Sequence, residues 1–261
     1  MTPRTCSRSE SAMRNPIALE TVKSAMPKVL LKGIRYLKCY GALSFGGRPG
    51  TLEEAIDFCV DRPILMAQVR SEIVELGKIL QASPPRRSLE IGTNYGGTLL
   101  MLCTLSQPGA RIISVDLPWG RFGGGYPLRK IPLFRSFPRS GQRLHLVRAD
   151  SHAAETKQRV LRILAGEPLD YLFLDGDHTY DGVRRDFEMY APLVRNGGIV
   201  VFHDIVVHQP ETQCQVKKFW NEIKPQYRHR EIIEGRNLAA PPIALTGESM
   251  ETSGLGVLFI P

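Results

Sequence analysis

The sequence predicts an α/β fold with a doubly wound, mostly parallel sheet, and two observations support this prediction. From residue 88 onward, short apolar runs alternate with helical patterns, as they do where helices connect parallel strands. Two of these runs, 171–175 and 199–204, begin as continuous apolar stretches and then end in acids and histidines. Buried parallel strands have continuous apolar runs, and ligand crevices form just beyond their carboxyl ends.

The N-terminal part is predicted to be a helical extension of the sheet domain. A polar tail leads into a basic amphipathic helix over residues 16–40, where apolar residues recur at intervals of three and four. We expect this helix to pack on its own domain or on a second subunit of a homo-oligomer, with a membrane surface as the alternative. A glycine-rich break follows at 41–50. We therefore divide the chain into an extension, 1–50, and a main domain, 51–261.

Two further helices are predicted before the first strand. Thr51 and Glu54 form a capping-box pattern, which starts a helix that runs to about residue 60. Pro63 starts the next helix, because proline is favoured in the first helical turn. This helix carries Gln68 and ends before Pro84.

The sheet is predicted from the alternation that follows. Strands are expected at 88–91, 111–116, 143–149, 171–175 and 199–204, with a terminal antiparallel pair at 231–233 and 255–260. Helices are expected at 99–105, 154–164, 183–194 and 219–223, the third of them ended by the Asn-Gly-Gly at 196–198. The stretch 117–142 is rich in glycine, proline, arginine and aromatic residues and shows no clear period. A stretch of that length is usually functional, and we expect it to form a lid.

The composition is that of one large globular domain. The chain has 261 residues, of which 43% are hydrophobic and 23% charged. No apolar run approaches the ~18 residues that a membrane span needs. The N-terminus lacks the apolar core of a secretory signal, and the five cysteines are scattered with no CxxC pair. A cytoplasmic location is expected, since disulfides are rare there.

The net charge of +8 is concentrated in two segments. Residues 1–40 hold eight Lys/Arg against two acids, and residues 117–149 hold seven Lys/Arg and no acid, so the remainder of the chain is acidic. These patches fit an anionic small-molecule acceptor, a membrane surface or a protein partner. A non-enzymatic RNA- or membrane-binding module that uses 14–40 and 121–148 is therefore one alternative function.

A glycine-rich turn with an acid before it follows the first strand. Its pattern, E-x-G-x-x-x-G-G over residues 90–97, differs from the G-x-G-x-x-G of dinucleotide-binding folds. Glu90 suits a ligand that carries an ammonium group, and Asp116 at the next strand end can accept both hydroxyls of a ribose. A nicotinamide-dependent oxidoreductase on a similar sheet is a second alternative, which the glycine spacing disfavours.

The sequence resembles the class I S-adenosylmethionine-dependent methyltransferases. The resemblance covers roughly residues 52–260 and is most specific in the segments 89–98, 122–126, 149–152, 174–180 and 197–204. Within that superfamily it is most similar to macrolide-sugar O-methyltransferases and to relatives of the cephalosporin-hydroxylase-associated methyltransferase. It implies a Rossmann-like sheet of seven strands with the last strand antiparallel, and methyl transfer to a hydroxyl of a small molecule or sugar.

The resemblance also implies which residues bind S-adenosyl-L-methionine. The methionine part would lie at the turn, on Glu90, Gly92, Thr93, Tyr95, Gly96, Gly97 and Thr98. Asp116 would bind the ribose, Asp150 and Ser151 would flank the adenine, and Asp175 would border the cofactor.

Metal and catalytic residues are implied at the two following strand ends. Related sugar O-methyltransferases bind magnesium with three acids, which here correspond to Asp175, His203 and Asp204, with histidine in place of a glutamate. Mg²⁺ prefers oxygen, whereas a histidine ligand also suits Mn²⁺, Fe²⁺ or Zn²⁺. His178 corresponds to the proposed general base, because a histidine with a pKa near neutral suits proton removal from a hydroxyl. Asp177 is expected to assist it or to supply a further oxygen ligand.

Overall fold

The computed structural model describes residues 28–60, 64–139, 141–206, 214–233 and 253–261, and confirms the doubly wound sheet. Its seven strands lie in the order β3-β2-β1-β4-β5-β7-β6. They are β1 (Arg87–Ile91), β2 (Arg111–Asp116), β3 (Arg143–Arg148), β4 (Leu169–Leu174), β5 (Val194–His203), β6 (Arg228–Ile232) and β7 (Leu255–Phe259). Neighbours among β1 to β5 pair in parallel, whereas β7 is antiparallel to both β5 and β6. The last strand is therefore the antiparallel one, as predicted.

Helices cover both faces of the sheet. They are α1 (Lys28–Phe45), α2 (Leu52–Cys59), α3 (Arg70–Ala82), α4 (Gly97–Leu105), α5 (Ile131–Phe134), α6 (Ala154–Leu164), α7 (Tyr180–Tyr190) and α8 (Val216–Ile223). Tyr171 and Phe173 of β4 pack in the core shared with α1 to α5, whereas Leu172 and Leu174 pack in the core shared with α6 to α8. Both faces of β4 are buried, which explains its continuous apolar run. None of the helices in the described ranges is long and apolar enough to cross a bilayer.

The helices before the sheet differ from the prediction at two points and confirm it at a third. The first helix extends to Phe45 through the expected glycine break, and the predicted residues before Lys28 lie outside the described part of the chain. The capping box is confirmed, because Thr51 Oγ1 accepts the Glu54 N–H and the Glu54 carboxylate accepts the Thr51 N–H. The third helix begins at Arg70, not at Pro63, so Gln68 lies in a non-helical segment ahead of it.

The region between α7 and β5 also corrects the prediction. The helix ends at Tyr190 and a 3₁₀ turn, Ala191–Leu193, follows it. The Asn-Gly-Gly expected to stop the helix lies inside β5, where Gly197 has a φ of +76°. The register of β5 against β4 shifts here, so the glycines accommodate a bulge in the strand.

Part of the segment between β2 and β3 is packed into the domain. Tyr126, Phe134 and Phe137 are buried in the core beneath α1 to α5. Arg139 and Arg148 donate hydrogen bonds to main-chain carbonyl oxygens of Thr104 and Tyr126. These arginines have structural roles, which weakens the case for a free basic surface. We therefore restrict the proposed lid to the start of the segment, residues 117–122, which precede the buried aromatic residues.

Candidate functional site

A cavity of about 300 Å³ lies at the carboxyl ends of β1 to β4. Each of these strands contributes residues to its wall: Gly92 and Asn94 after β1, Asp116 and Leu117 after β2, Asp150, Ser151 and His152 after β3, and Asp175, Gly176 and Asp177 after β4. The structure thus brings together four of the strand-end acids that the sequence singled out, Asp116, Asp150, Asp175 and Asp177. A crevice at this edge is where open α/β sheets bind their ligands.

A smaller cavity of about 40 Å³ adjoins the first one. Its walls include Gln68, Thr93 and Tyr95, together with Gly97 and Thr98 at the start of α4. The two cavities share three wall residues, Gly92, Asn94 and Asp175. A ligand in the large cavity could therefore extend a small group along the glycine-rich turn.

Gly92 and Gly96 are required by the shape of the turn. Gly92 has a φ of +87°, and a Cβ there would overlap the carbonyl oxygen of Asp175. Gly96 has a φ of +92°, and a Cβ there would lie 2.5 Å from the ring of Phe134. Glycine alone meets both the left-handed backbone and the close approach. The turn is thereby fixed against the end of β4.

Glu90 lies behind the turn and lines neither cavity. Its Oε2 accepts a hydrogen bond of 2.7 Å from Thr93 Oγ1, which in turn lies 2.7 Å from Ser114 Oγ. One of the two hydroxyls, of Thr93 or of Ser114, donates to the other, so Glu90, Thr93 and Ser114 form one buried hydrogen-bond chain. Any contribution of Glu90 to ligand binding is therefore indirect, through the position of Thr93. Burial raises the pKa of Glu90 to about 8.

This raised pKa predicts a pH-dependent stability that depends on Glu90. Between its ordinary pKa of 4.5 and about 8, the folded domain holds a proton that the unfolded chain has released. The free energy of unfolding therefore falls as pH rises across this window, by up to ~1.4 kcal/mol per pH unit from this group. Glu90→Gln should remove that slope, so the variant gains stability relative to the wild type from pH 5 to 8.

Urea unfolding at several pH values measures this difference. Glu155→Gln, in the first turn of α6, is the matched control and should follow the wild-type curve. Parallel curves for wild type and Glu90→Gln would show that Glu90 does not take up a proton on folding.

Asp116 borders the large cavity, but part of its carboxylate is already engaged. Its Oδ2 accepts the backbone N–H of Asn94 at 2.8 Å and that of Thr93 at 3.3 Å. Burial raises the pKa of Asp116, although the backbone donors oppose that shift. Asp116 therefore ties the glycine-rich turn to the end of β2, while its position in the wall still suits a ligand with hydroxyl groups.

The segment after β3 is braced by a buried acid. Asp150 Oδ1 accepts the His152 N–H at 2.8 Å, and His152 Nε2 lies 3.3 Å from Asp186 Oδ1 of α7. The carboxylate of Asp186 hydrogen-bonds His152 and raises its pKa. Ser151 is held by its carbonyl oxygen, which accepts the Tyr190 hydroxyl. The wall formed by Asp150 and Ser151 thus has a fixed shape.

Asp175, His203 and Asp204 form a compact cluster beyond β4 and β5. His203 Nδ1 lies 3.0 Å from Asp175 Oδ1 and 3.2 Å from Asp204 Oδ1. Burial lowers the pKa of His203, but the two carboxylates outweigh it and raise that pKa well above its ordinary value. Asp204 has a φ of +62°, an unusual conformation for a residue with a side chain. Potential metal ligands are thus concentrated at this point.

His178 joins the same cluster from the loop after β4. Its Nδ1 lies 3.1 Å from Asp204 Oδ2, and its Nε2 lies 3.5 Å from Asp175 Oδ1. Burial lowers the pKa of His178, but hydrogen bonding and charge from Asp175 and Asp204 raise it to about 10. The pKa of His178 thus lies above the near-neutral value assumed in the sequence-based prediction, because two carboxylates face one imidazole.

Asp177 is not joined to the cluster by any hydrogen bond or ion pair in the described ranges. Its Oδ1 accepts the Thr179 N–H at 2.9 Å, and its carboxyl group packs against Gly182. It lines the large cavity, yet its hydrogen bond stabilises the start of α7. Asp177 therefore has a structural task, and its catalytic role remains a proposal.

Four residues near the site were not assigned roles from the sequence. Phe122 stacks on His178 with ring centroids 4.8 Å apart and an interplanar angle of 11°. Cys214 hydrogen-bonds His178, and Lys130 donates to the Asn94 carbonyl oxygen at 3.1 Å. Gln68 Nε2 donates to Asp175 Oδ2 at 3.2 Å. Each contact joins distant parts of the chain, so none has a local sequence signature.

The fold and the crevice define an α/β domain with a ligand-binding position at its strand ends, and comparison with known proteins gives a family match for part of the chain. Residues 89–205 match a family model described as a methyltransferase domain. Two solved structures share the fold. One is the O-methyltransferase TomG from Streptomyces achromogenes, involved in tomaymycin synthesis and solved with S-adenosylmethionine. It is 18% identical, with 85% of this chain and 95% of that chain covered and a TM-score of 0.52. The other is the calicheamicin methyltransferase CalS11, 15% identical, with 91% and 95% covered and a TM-score of 0.51.

Residues 89–205, a little under half of the chain, match this methyltransferase-domain family, and the chain shares its fold with the two solved methyltransferases. This match confirms the resemblance to methyltransferases and favours a methyltransferase over the nicotinamide-dependent alternative. Two curated relatives are both uncharacterized. One, from Sinorhizobium fredii, is 29% identical over 175 residues, which are 60% of this chain and 19% of that protein. The other, from Acanthamoeba polyphaga mimivirus, is 31% identical over 140 residues, which are 52% of this chain and 60% of that protein.

Proposed function

We propose that this protein transfers a methyl group from S-adenosylmethionine to a hydroxyl of a small molecule or sugar. One observation carries the proposal: Asp175 lines both cavities and also contacts the cluster of His178 and His203. A cofactor in the cavities would therefore lie beside a group of acids and imidazoles suited to proton transfer. The names of the two solved structures favour a small natural-product acceptor.

The cavity walls support a specific orientation for the cofactor. The turn from Gly92 to Thr98 would hold the methionine part, and Asp116 would face the ribose hydroxyls. Asp150 and Ser151 would flank the adenine. In this orientation the sulfonium methyl lies toward Asp175 and the cluster, where an acceptor hydroxyl can approach in line.

The cluster suits a divalent metal such as Mg²⁺ or Mn²⁺. Ligand bonds of about 2.1 Å place neighbouring ligands of an octahedral ion about 3.0 Å apart. The Nδ1–Oδ1 distances from His203 to Asp175 and Asp204, 3.0 and 3.2 Å, match that spacing. We propose these three residues as the ligands, with the histidine nitrogen favouring Mn²⁺ over Mg²⁺. A bound cation would supply positive charge that stabilises the ionised form of the acceptor hydroxyl.

His178 is the proposed general base. Its Nε2 is the nitrogen nearer Asp175, and its Nδ1 is held by Asp204, so the ring is oriented by both carboxylates. The carboxylates that hold a proton on His178 are also the proposed metal ligands. With both nitrogens directed at carboxylates, the ring holds two protons and can accept the hydroxyl proton only after it has released one. A cation held by the same carboxylates would lower the pKa of His178 and favour that release, so metal binding and the basicity of His178 are linked. Phe122 stacks on the imidazole and would exclude water from it, while Arg121 beside Phe122 suits an anionic acceptor.

Asp204→Asn should weaken metal binding by about 10-fold or more, because it removes one charged ligand from a site of three residues. Calorimetric titration of the wild type and the variant with Mn²⁺ measures the two affinities, and it needs no methyl acceptor. Asp181→Asn, in the first turn of α7, is the control and should bind Mn²⁺ like the wild type. Equal affinity in all three proteins would remove the metal from the proposal.

The proposed function is tested first by cofactor binding. Isothermal titration with S-adenosylhomocysteine and S-adenosylmethionine should show saturable binding at one site. A screen of hydroxylated compounds, read out as release of S-adenosylhomocysteine, then identifies the acceptor. Absence of binding to either ligand would end the proposal.

Location and assembly are part of the same proposal. The four cysteines in the described ranges form no disulfide, which is compatible with the reducing cytoplasm. Leu37 and Phe45 of α1 are 71% and 89% exposed, and such apolar side chains on one helix favour contact with a second subunit.

A further inference from the structure

Gln68 lies at the methionine end of the proposed cofactor site, although it precedes the matched methyltransferase domain by more than twenty positions in the chain. It belongs to the non-helical segment before α3 and is 5% exposed. Its side-chain amide nitrogen donates to Asp175 Oδ2 across 107 positions of the chain. A buried amide in a cavity wall must be accounted for, because both of its polar ends need partners.

The contact with Asp175 fixes which way the amide points. An ionised carboxylate can only accept hydrogen bonds, so the NH₂ end of Gln68 must face Asp175. The carbonyl oxygen Oε1 is therefore turned to the other side. Oε1 is closed off from solvent and has no hydrogen-bond partner within the described ranges. A buried acceptor in that state destabilises the domain unless a ligand or water supplies a donor.

The surroundings of Gln68 indicate the chemistry of that donor. The 40 Å³ cavity is bounded by Gln68, Thr93, Thr98 and the carboxylate-bearing Asp175. The amide oxygen of Gln68 and the carboxylate of Asp175 both accept hydrogen bonds, and the carboxylate is negatively charged. The wall of this small cavity therefore suits a compact cation with several N–H donors. Because the two cavities share Gly92, Asn94 and Asp175 in their walls, such a group would be carried by a ligand that fills both.

We propose that Gln68 accepts a hydrogen bond from the α-ammonium group of S-adenosylmethionine and, through its NH₂ group, positions Asp175. This inference rests on the proposed function and adds to it a residue that binds the cofactor and contacts the acceptor side. One amide thereby joins the ammonium group to the carboxylate that also contacts His178 and His203.

The experiment compares the affinities of two ligands for the wild type and for one variant of the full chain, by isothermal titration calorimetry. S-adenosylhomocysteine and its analogue without the α-amino group are each titrated into wild type and Gln68→Met, which preserves side-chain length. Wild type should prefer the amino-bearing ligand by about 10-fold or more, as expected for a buried hydrogen bond to a charged group. Gln68→Met should lose most of that preference while its affinity for the analogue changes less than about twofold. Gln226→Met, near the end of α8, is the control and should keep the full preference.

Other outcomes separate this inference from the proposed function. Equal weakening of both ligands would mean that Gln68 acts only through structure or through a bridging water, and the inference would be wrong. Equal affinity of the wild type for both ligands would also overturn it, without any variant. If Gln68→Met does not fold by circular dichroism, Gln68→Glu retains an acceptor oxygen and should retain the preference. Failure of the wild type to bind either ligand would instead refute the proposed function.

Discussion

Replacing Gly92 by alanine should reduce the affinity for S-adenosylhomocysteine by more than about 100-fold. The backbone at this position has a φ of +87°, which alanine adopts at a cost of about 1 kcal/mol. The larger effect is steric, since the new Cβ would overlap the carbonyl oxygen of Asp175 and lie 2.5 Å from its carbonyl carbon. These atoms belong to the backbone and cannot rotate away. The turn must therefore separate from the end of β4, which takes apart both cavities at their shared wall.

Isothermal titration and thermal unfolding of the same variant test this expectation. Gly109→Ala is the matched control, because Gly109 has a φ of +75° but open space where its Cβ would lie. It should lose a little stability and keep wild-type affinity. The argument fails if Gly92→Ala binds S-adenosylhomocysteine as tightly as Gly109→Ala does.

Replacing His178 by alanine should lower turnover by about 10²-fold to 10⁴-fold, the range for loss of a general base. Affinity for S-adenosylhomocysteine should change little, because His178 lines neither cavity. The expected signature is therefore loss of kcat with cofactor binding intact. Release of S-adenosylhomocysteine from the acceptor found by screening measures the first quantity, and calorimetry measures the second.

His229→Ala serves as the control for this variant. His229 is exposed on β6 and hydrogen-bonds only the nearby Tyr227 carbonyl oxygen within the described ranges, so its loss should leave turnover unchanged. Full activity in His178→Ala would remove the assignment of His178 as base. Loss of cofactor binding in that variant would instead indicate that the ring supports the shape of the cavity.

Much of the sheet could be predicted from the sequence because its signals are local. The β2 strand Arg111–Asp116 and the α6 helix Ala154–Leu164 lie at their predicted positions. A strand buried on both faces needs a continuous apolar run, and a surface helix needs an apolar stripe at helical spacing. The convergence of acids at one edge follows from parallel strands that all end on the same side.

The helix start predicted at Pro63 was wrong because tertiary contacts override the local sequence preference there. A proline followed by a helical apolar pattern predicts a helix start, yet residues 64–69 form no helix. The carbonyl oxygen of Leu65 accepts a hydrogen bond from the N–H of Gly97 at the start of α4. In a helix that began at Pro63, this oxygen would instead accept an N–H from the next turn of the same helix. The non-helical segment also places Gln68 at the cavity. No pattern within the segment records this, because its partners lie far along the chain.

The pairing of His178 with Phe122 and Cys214 was unpredictable for a related reason. The three residues come from three separate segments, and only the packed fold brings them together. The sequence indicated the residue types that the site needs, and the chemistry of His178 then depended on how many carboxylates surround it. That number is a property of the assembled cluster.

Asp204 illustrates a compromise between stability and chemistry at the end of β5. Its left-handed backbone, with a φ of +62°, is disfavoured for aspartate and costs on the order of 1 kcal/mol. Glycine or asparagine would adopt the same conformation more easily. Selection for folding alone would therefore replace this aspartate, and a stability-directed redesign of the protein would be expected to remove one of the three proposed metal ligands at this position.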